Sequence, residues 1–349
     1  MHGTLPSQAI EALIASGAVT CEAKPAPGQV QPASLDLRLG ARVYRVRASF
    51  LPGPARTVKE RLANVALHEI DLSRGAVLET GCVYVAELQE GLKLPSGLQA
   101  AANPKSSTGR LDVFTRVIAD RARSFPVLVR EGSRLSQLRF RQGDPRLDDA
   151  AHRALHAAEG LVAAATPSIA GGVAVSVDLT GIGPERRPGE RLVGYRAKSY
   201  SGLVDVDRVG AYDWSDYWEP LYAQGGAQER ALVLDPGQFY ILASKEAVRV
   251  PPDFAAEMTP FDPLVGEFRV HYAGFFDPGF GHAAAGGEGA RAVLEVRSRD
   301  VPFILEDGQT VGRLVYERML ERPASLYGAS LASNYQAQGL KLSKHFRQG

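Results

Sequence analysis

The stretch from Asn103 to Arg110 holds the densest set of groups in this sequence that could bind an anionic ligand. Its candidate binding residues are Lys105, Ser106, Ser107, Gly109 and Arg110. Lysine supplies a point charge, and arginine a planar fork that can hold two phosphate oxygens at once. The serine hydroxyls can donate hydrogen bonds, and glycine lets a ligand approach the backbone. The order of a Walker phosphate loop is missing, so two interpretations stay open, a phosphate site or a polar turn that caps an element.

A second candidate is Glu295, a carboxylate within the apolar run Ala292–Val296. Burial in an apolar strand disfavours the charged form and raises the pKa of a carboxyl group, which suits an acid–base catalyst. The alternative is a solvated strand residue, because Glu295 alternates with apolar neighbours on both sides. Asp277 begins the run Asp277-Pro278-Gly279, which is typical of a turn and can at the same time aim the carboxylate at a ligand.

Short strands must position these residues, because short apolar runs alternate with Gly and Pro over most of the chain. The predicted strands include 34–39, 43–46, 83–86, 125–129, 135–140 and 173–177. A short helix is predicted over 5–17, with Ser7 as its cap and Gly17 at its end, and a second helix over 147–158. The pattern indicates an all-β sandwich or barrel with a short N-terminal helix and a helical segment between two halves.

The second half of the chain repeats the order of elements in the first. The run Leu78–Tyr84 aligns with Leu234–Tyr240 at an offset of 156 (237 − 81). Further along, Gly132–Phe140 aligns with Gly308–Tyr316 at an offset of 176 (308 − 132). Two copies of one order indicate a duplicated β domain and not a solenoid.

The two copies, which we place at 1–165 and 166–349, differ in their candidate residues. The first keeps the serines and the arginine of the stretch 103–110, and the second keeps Asp277 and Glu295. Each half lacks what the other keeps. We therefore expect one composite site between two barrels.

The bulk composition argues against several classes of protein. The chain has 349 residues, 45% of them hydrophobic and 23% charged, with a net charge of +1, so no broad nucleic-acid or membrane surface is predicted. Cys21 and Cys82 are far apart and no Cys-x-x-Cys occurs, so neither a disulfide framework nor a cysteine zinc site is expected. No apolar run is long enough to span a bilayer and the N-terminus lacks a signal-peptide core, so we expect a cytoplasmic protein.

Several blocks of the chain resemble the dCTP deaminases, a family of the trimeric dUTPase-like β-barrel superfamily. In chain order these blocks are 32–40, 105–111, 273–280, 293–296, 308–314 and 333–339. The form resembled is long and internally duplicated. The resemblance implies two tandem dUTPase-like, jelly-roll-like barrels. It also implies a hydrolase that acts on a cyclic amidine C–N bond and converts dCTP to dUTP and ammonia.

The resemblance also implies roles for individual residues. Glu295 is similar to the family's catalytic glutamate, a general base that activates a water for attack on C4 of cytosine. Ser106 and Arg110 resemble residues that place this water and stabilise the reacting centre, and Asp277 resembles the residue that fixes the deoxyribose. The other implied substrate-binding residues are Lys105, Ser107 and Gly109 on the triphosphate side, Val293 and Leu294 at the base edge, and Tyr327, Tyr335 and Gln338 in the tail.

The chain departs from the family pattern in two places. Asp277 and Glu295 are 18 positions apart (295 − 277), because an Ala/Gly-rich insertion fills 282–290. Asn334 stands where the family often has Lys, which removes one cation from the phosphate side. Elsewhere, Asp36 and Arg38 are expected to form a structural ion pair on their strand.

Deamination needs an activated water, a proton shuttle to the departing ammonia and stabilisation of a tetrahedral intermediate. Many cytidine deaminases use zinc held by a His/Cys cluster together with a separate Glu. This sequence shows no such cluster, so we expect a zinc-independent route. Mg²⁺ would arrive with the triphosphate, bound mainly by its oxygens, and no protein ligand set is predicted for it.

Three functions stay open at this point. The first is deamination of dCTP to dUTP in the metabolism of pyrimidine deoxynucleotides. The second is a bifunctional enzyme that also removes diphosphate and gives dUMP, and the third is a regulatory barrel that binds nucleotide without turnover. We expect a homo-oligomer whose partner is the nucleotide, with no nucleic-acid or membrane partner.

Overall fold

The computed structural model describes residues 2–115, 124–164, 166–223, 230–260, 268–271, 274–298, 300–328 and 339–347. Its α-helices are α1 (Ser7–Ala15), α2 (Val58–Val65), α3 (Ser106–Gly109) and α4 (Asp149–Glu159), with 3₁₀ turns at Trp214–Asp216 and Ala283–Ala285. None of these helices has the length and apolar composition needed to span a bilayer.

Strands make up most of the regular structure, as the all-β prediction requires. Those of the first half are β1 (Gly3–Thr4), β2 (Val19–Cys21), β3 (Val30–Gln31), β4 (Ser34–Val46), β5 (Ala66–Asp71), β6 (Ala76–Leu78), β7 (Val83–Leu88), β8 (Glu90–Leu92), β9 (Leu98–Pro104), β10 (Val127–Val129) and β11 (Arg134–Gln142). Those of the second half are β12 (Val173–Ser176), β13 (Ile182–Arg187), β14 (Glu190–Ala197), β15 (Val204–Asp205), β16 (Trp218–Tyr222), β17 (Ala231–Leu234), β18 (Phe239–Val248), β19 (Phe254–Pro260), β20 (Phe268–His271), β21 (Phe275–Phe276), β22 (Ala290–Ser298), β23 (Phe303–Glu306) and β24 (Thr310–Arg318).

The strands predicted at 34–39 and 43–46 are one long strand, β4. Its first part pairs with β11, and its second part pairs with β5 and β7. Gly40, the residue after the predicted strand 34–39, lies where β4 passes from one set of partners to the other. A side chain at this position would contact Glu87 of β7, which is why a glycine suits the crossing.

The helix ends show which local signals were sufficient. Asp148 caps α4 by accepting a hydrogen bond from the Ala151 N–H at 2.8 Å, and Gly160 ends the helix at φ +63°. The prediction that Ser7 caps α1 is wrong, because Pro6 occupies the cap position and Ser7 is the first helical residue. Helix α2 was missed, although Thr57 and Glu60 form a capping box at its start.

The duplication is present strand for strand. β11 pairs with β9, and Leu98 lies opposite Gln142; β24 pairs with β19, and Phe254 lies opposite Arg318. The offsets are those of the sequence alignment, 156 (254 − 98) and 176 (318 − 142).

The same side-chain hydrogen bond also recurs in both copies. The Tyr84 hydroxyl accepts from the Glu79 N–H at 3.0 Å, and the Tyr240 hydroxyl accepts from the Asp235 N–H at 2.9 Å. Both tyrosine bodies are buried while their hydroxyls satisfy a turn amide. The recurrence of register and of hydrogen bond confirms two copies of one β-barrel unit.

The two copies share part of their apolar core. One cluster lies mainly in the second half but includes Leu161 and Val162, and one lies between α1 and the sheet of the first half. Another draws Val127 from the first half together with Trp218 and Phe346 from the second. Strand β10 also pairs in parallel with β15, so that Val127 lies opposite Val204. Elements of the second half thus complete the core of the first, and the domain boundary at 165 stays a prediction.

Candidate active site

The stretch predicted to bind phosphate forms a single helical turn at the end of β9. Pro104 ends the strand, and the Lys105 N–H donates to the Leu135 carbonyl of β11 at 3.0 Å. The turn closes through Gly109 N–H to the Lys105 carbonyl at 2.8 Å and Arg110 N–H to the Ser106 carbonyl at 3.1 Å. The stretch is therefore a polar turn, and its contacts with the second barrel decide whether it is also a site.

Glu295 lies directly against this turn. It occupies the middle of β22, between β18 and β20, and is only 4% exposed, which excludes the solvated alternative. A Cβ built on Gly109 would stand 2.7 Å from Oε1 and 2.8 Å from Cδ of Glu295, so the carboxylate fills the space that a side chain at 109 would need. Within the part of the chain that the structure describes, nothing hydrogen-bonds to Oε2.

The electrostatic setting of Glu295 favours its protonated form. The pKa of this carboxyl group is raised well above its ordinary value, chiefly because burial disfavours the charge. The positive charge of Arg110 opposes this shift, and the negative charge of Asp112 adds to it. A buried carboxyl group with one oxygen that has no hydrogen-bond partner in the described structure has the properties of an acid–base catalyst.

Arg110 follows Gly109 directly, and Ser106 lies three residues before Gly109 on the same helical turn. Arg110 is 4% exposed, and its Nη1 donates to the Lys341 carbonyl at 2.8 Å. Ser106 is half-buried, and its Oγ faces Gly274, where an added Cβ would stand 3.6 Å away. The structure thus brings Gly109, the neighbour of Arg110, to Glu295 of the second half and brings Ser106 to Gly274, all within one chain.

Asp277 follows β21 and begins the predicted turn, which the hydrogen bond from the Phe280 N–H to the Asp277 carbonyl closes at 3.1 Å. Its buried carboxylate accepts from Arg139 Nη2 at 2.9 Å. Burial raises the pKa of Asp277, and the charge of Arg139 acts in the opposite direction. Tyr327, predicted in the tail, lies beside this turn, because its N–H donates to the Pro278 carbonyl at 2.8 Å.

Lys105 is held by an acidic partner of its own. Its Nζ pairs with the buried carboxylate of Asp36, and Arg134 lies 3.6 Å from the same oxygen. The expected Asp36–Arg38 ion pair is wrong, since Arg38 pairs with Glu90 at 2.7 Å. Asp36 and Arg38, two residues apart on β4, thus each pair with a residue of another element and not with each other.

The other predicted contacts are main-chain or buried positions. Ser107 is buried, and its carbonyl accepts from the Ser343 hydroxyl at 2.6 Å. Val293 and Leu294 pair with β18 through Ala243 and Leu242. On the other side, the described part of β20 pairs only from Glu295 onward. Tyr335 and Gln338 lie outside the described residues, as does Asn334.

Sequence reasoning missed the residues that support the site from across the barrel interface. Arg139 is fully buried and reaches from β11 to the Ala256 and Phe276 carbonyls of the second half. The one available signal was a cation inside the apolar run Leu138-Arg139-Phe140. Its repeat-equivalent position (139 + 176) holds Val315, so the arginine belongs to one copy alone.

The described residues contain no group of three His, Cys, Asp or Glu side chains that could hold a metal ion. The groups that converge on the candidate site are instead one carboxylate, one guanidinium, one hydroxyl and main-chain groups. Such a set can move a proton and stabilise a developing negative charge.

Two family models match the chain. They are the N-terminal domain of 2'-deoxycytidine 5'-triphosphate deaminase at residues 1–125 and the C-terminal domain of the same family at 148–346. A curated dCTP deaminase of Actinobacillus succinogenes is 31% identical over 119 residues, 32% of this chain and 61% of that protein. A dCTP deaminase of Beutenbergia cavernae named dUMP-forming is 31% identical over 115 residues, 32% of this chain and 55% of that protein. The chain thus spans little more than half the length of these curated relatives.

Among solved structures, one match extends over nearly the whole chain. The crystal structure of 2'-deoxycytidine 5'-triphosphate deaminase from Agrobacterium tumefaciens is 55% identical and superposes with a TM-score of 0.84. The match covers 92% of this chain and 99% of that one.

Proposed function

Because the chain belongs to the dCTP deaminase family, we propose that it hydrolyses dCTP to dUTP and ammonia at the site between its two barrels. The observation that carries the proposal is the buried Glu295 carboxyl group, which has one oxygen without a hydrogen-bond partner in the described structure and faces the Gly109 turn. A matching family model, a likeness to a solved deaminase and a site with acid–base chemistry support the same conclusion.

In the proposed reaction Glu295 moves protons between water and the base. Its carboxylate takes a proton from a water molecule while the water oxygen bonds to C4 of cytosine, and the carboxyl group passes this proton to N3. Glu295 then moves the proton of the new C4 hydroxyl to the amino group, the C4–N bond breaks, and ammonia leaves as the C4 carbonyl forms. The balance is dCTP plus water to dUTP plus ammonia. A carboxyl group with a raised pKa suits this role, since it must both accept and return a proton near neutral pH.

The turn of the first barrel supplies the polar and charged groups that act together with Glu295. We assign Arg110 and Ser106 to placing the water and stabilising charge that develops at C4. Gly109 leaves the space that the carboxylate occupies, and the main chain of Val293 and Leu294 is assigned to the edge of the base. Each group stands on a regular element, which holds it in place before substrate arrives.

The remaining assignments concern the sugar and the triphosphate. We assign Asp277 to the deoxyribose, and Lys105, Ser107 and Gly109 to the triphosphate side. Tyr327 contributes from beside the Asp277 turn, and Tyr335 and Gln338 are assigned to the closing tail. Burial and the positive charge of Lys105 lower the pKa of Lys344. Mg²⁺ enters as part of the nucleotide substrate, and we propose no zinc in the reaction.

A second candidate is the bifunctional reaction that ends at dUMP. It is favoured by the relatives named dUMP-forming, including that of Beutenbergia cavernae. A non-catalytic regulatory barrel is the remaining alternative and predicts nucleotide binding without ammonia release. We further propose that the protein works in the cytoplasm as a homo-oligomer, without nucleic-acid or membrane partners.

Product analysis with dCTP and Mg²⁺ tests the proposal, with Glu295→Gln as the matched variant. Wild type should release ammonia, and the variant should bind dCTP but lose about 10²- to 10⁴-fold in rate, the range typical of a lost acid–base group. A dUTP product supports the first reaction and a dUMP product the second. Binding of dCTP by wild type without any ammonia would reject the enzyme and favour the regulatory barrel.

A further inference from the structure

The C-terminal segment 339–347 returns from the second barrel and lies across the turn that carries Ser106 and Arg110. The Lys341 carbonyl accepts from Arg110, and the Ser343 hydroxyl donates to the Ser107 carbonyl. The first contact uses a side chain of the turn, and the second uses a side chain of the segment. The segment is therefore part of the wall behind the candidate site.

Ser343 is fully buried between two acceptors. Its Oγ lies 2.6 Å from the Ser107 carbonyl oxygen and 2.8 Å from Nδ1 of His345. Nε2 of His345 donates to the Val206 carbonyl at 2.9 Å, which makes Nδ1 the acceptor in a neutral ring. Burial lowers the pKa of His345 to about 4, so the ring is neutral near pH 7. The single hydroxyl hydrogen of Ser343 is donated to the Ser107 carbonyl, which is the shorter of the two contacts.

His345 and Phe346 anchor the C-terminal segment in the second half of the chain. The Ala211 and Tyr212 N–H groups both donate to the His345 carbonyl. Phe346 is buried in the shared core, with its ring centroid 6.4 Å from that of Phe125 and 6.2 Å from that of Trp218. A serine held between such an anchor and a loop carbonyl can fix the loop.

The turn itself needs this support, because α3 has only four residues and short helices leave their last carbonyls without partners. Backbone N–H groups satisfy the carbonyls of Lys105, Ser106, Thr108 and Gly109. The carbonyl of Ser107 receives the Ser343 hydroxyl instead. The Ser107 carbonyl is thus held by the C-terminal segment, whereas the other four carbonyls are held by backbone N–H groups.

We propose that Ser343 is a positioning residue of the deamination site, holding the Ser107 carbonyl so that Ser106 and Arg110 face Glu295. The proposal rests on the proposed function for its effect on rate, but its effect on the turn is independent of any reaction. Removing the hydroxyl leaves the buried Ser107 carbonyl without this donor and frees the turn to move. A displacement of about 1 Å at a reacting group can cost on the order of 100-fold in rate.

The test compares Ser343→Ala with Ser176→Ala, a matched control in which a buried serine hydroxyl donates to Glu246 of the second barrel. For Ser343→Ala we expect kcat to fall by about 10- to 100-fold while KM for dCTP changes by less than about threefold. Native-state hydrogen exchange should accelerate at the amides of Gly109 and Arg110 and stay unchanged in β18 and β22. Ser176→Ala should match wild type in kcat and in exchange of the turn amides.

The kinetic and the hydrogen-exchange measurements together distinguish failure of the proposed function from failure of the positioning role. If wild type does not deaminate dCTP, the proposed function fails, while faster exchange confined to the turn still supports the positioning role. If Ser343→Ala keeps the wild-type kcat and exchange pattern, or if exchange rises equally in all strands, the positioning role is wrong. Should Ser343→Ala not fold, Ser343→Cys replaces it, since a thiol of similar size keeps a weak donor and should give a smaller loss of the same kind.

Discussion

At the scale of single residues, Glu295 and Gly109 depend on each other. The carboxylate is buried in a strand of the second barrel, and the space beside it exists because residue 109 of the first barrel has no side chain. Arg110, the next residue, supplies the opposing positive charge. A site built from a buried acid and a neighbouring backbone tolerates little change in volume.

Gly109→Ala tests this dependence. The added methyl group must displace the Glu295 carboxylate, so we expect deamination to fall by about 100-fold or more and stability to fall by about 1–3 kcal/mol. Ammonia release and urea denaturation measure the two effects. Gly202→Ala is the matched control, because the three atoms nearest to an added Cβ there all belong to Tyr217, the hydroxyl at 3.1 Å, and the change should leave activity unchanged. Full activity in Gly109→Ala would contradict the packing described.

The raised pKa of Glu295 predicts a pH-dependent gain in stability for Glu295→Gln. Since the folded-state pKa lies above the unfolded value of 4.5, folding favours the protonated acid. Its unfavourable contribution is absent below about pH 4 and grows as the pH rises toward the folded-state pKa. Glu295→Gln should therefore match wild type in melting temperature at low pH and exceed it at neutral and higher pH. A difference that does not change with pH would show that the carboxyl group is not destabilised by burial.

At the scale of elements, β11 and the β21 turn are joined by one buried ion pair. Arg139 donates to the Asp277 carboxylate and to two carbonyl oxygens of the second barrel, and its guanidinium lies 4.3 Å from the Phe275 ring centroid. The equivalent position in the second copy is Val315, so only the first copy carries this arginine. Arg139 thereby positions the proposed sugar-binding carboxylate.

Arg139→Met should destabilise the protein by about 3–5 kcal/mol, because it leaves the Asp277 charge buried without its partner. Asp277→Asn in the same chain should recover part of that loss, since no buried carboxylate remains. Chemical denaturation of the two single variants and the double variant gives the coupling energy between the residues. Purely additive effects would mean that the ion pair does not explain the burial of Asp277.

At the scale of the whole molecule, duplication lets one chain supply both halves of a site. The Ser106–Arg110 turn belongs to the first copy and Glu295 to the second, and the structure places them in contact within one chain. The second half also completes the core of the first through Trp218 and Phe346. The two barrels are thus joined by shared packing as well as by the site.

A mixing experiment tests whether each chain carries its own site. Arg110→Ala and Glu295→Gln are each expected to be inactive, and unfolding and refolding them together should restore no ammonia release. A site formed between chains would instead recover activity in mixed oligomers, which contain some interfaces with both native halves. Refolding of wild type under the same conditions supplies the control for recovery.

Local patterns in the sequence were sufficient for several strands, for helices α1 and α4 and for the repeat, although α2 was missed. Alternation of apolar residues predicted β11 and β12, and the offsets of 156 and 176 appear unchanged in the strand registers. The motif order also directed attention to Glu295 and to the Ser106–Arg110 turn. These features are readable because they are encoded in short windows, where periodicity and turn residues decide the backbone.

Tertiary structure alone decided which charged groups meet. Asp36 pairs with Lys105 and not with Arg38, Arg139 reaches Asp277, and Ser343 supports Ser107, each across a separation of 69 residues or more. Such partners are selected by the packing of whole sheets, because a buried charge or carbonyl takes whichever group the fold brings near. The sequence by itself therefore determined the acid, the turn and the two copies. Only the packed barrels determined how the acid and the turn are held together.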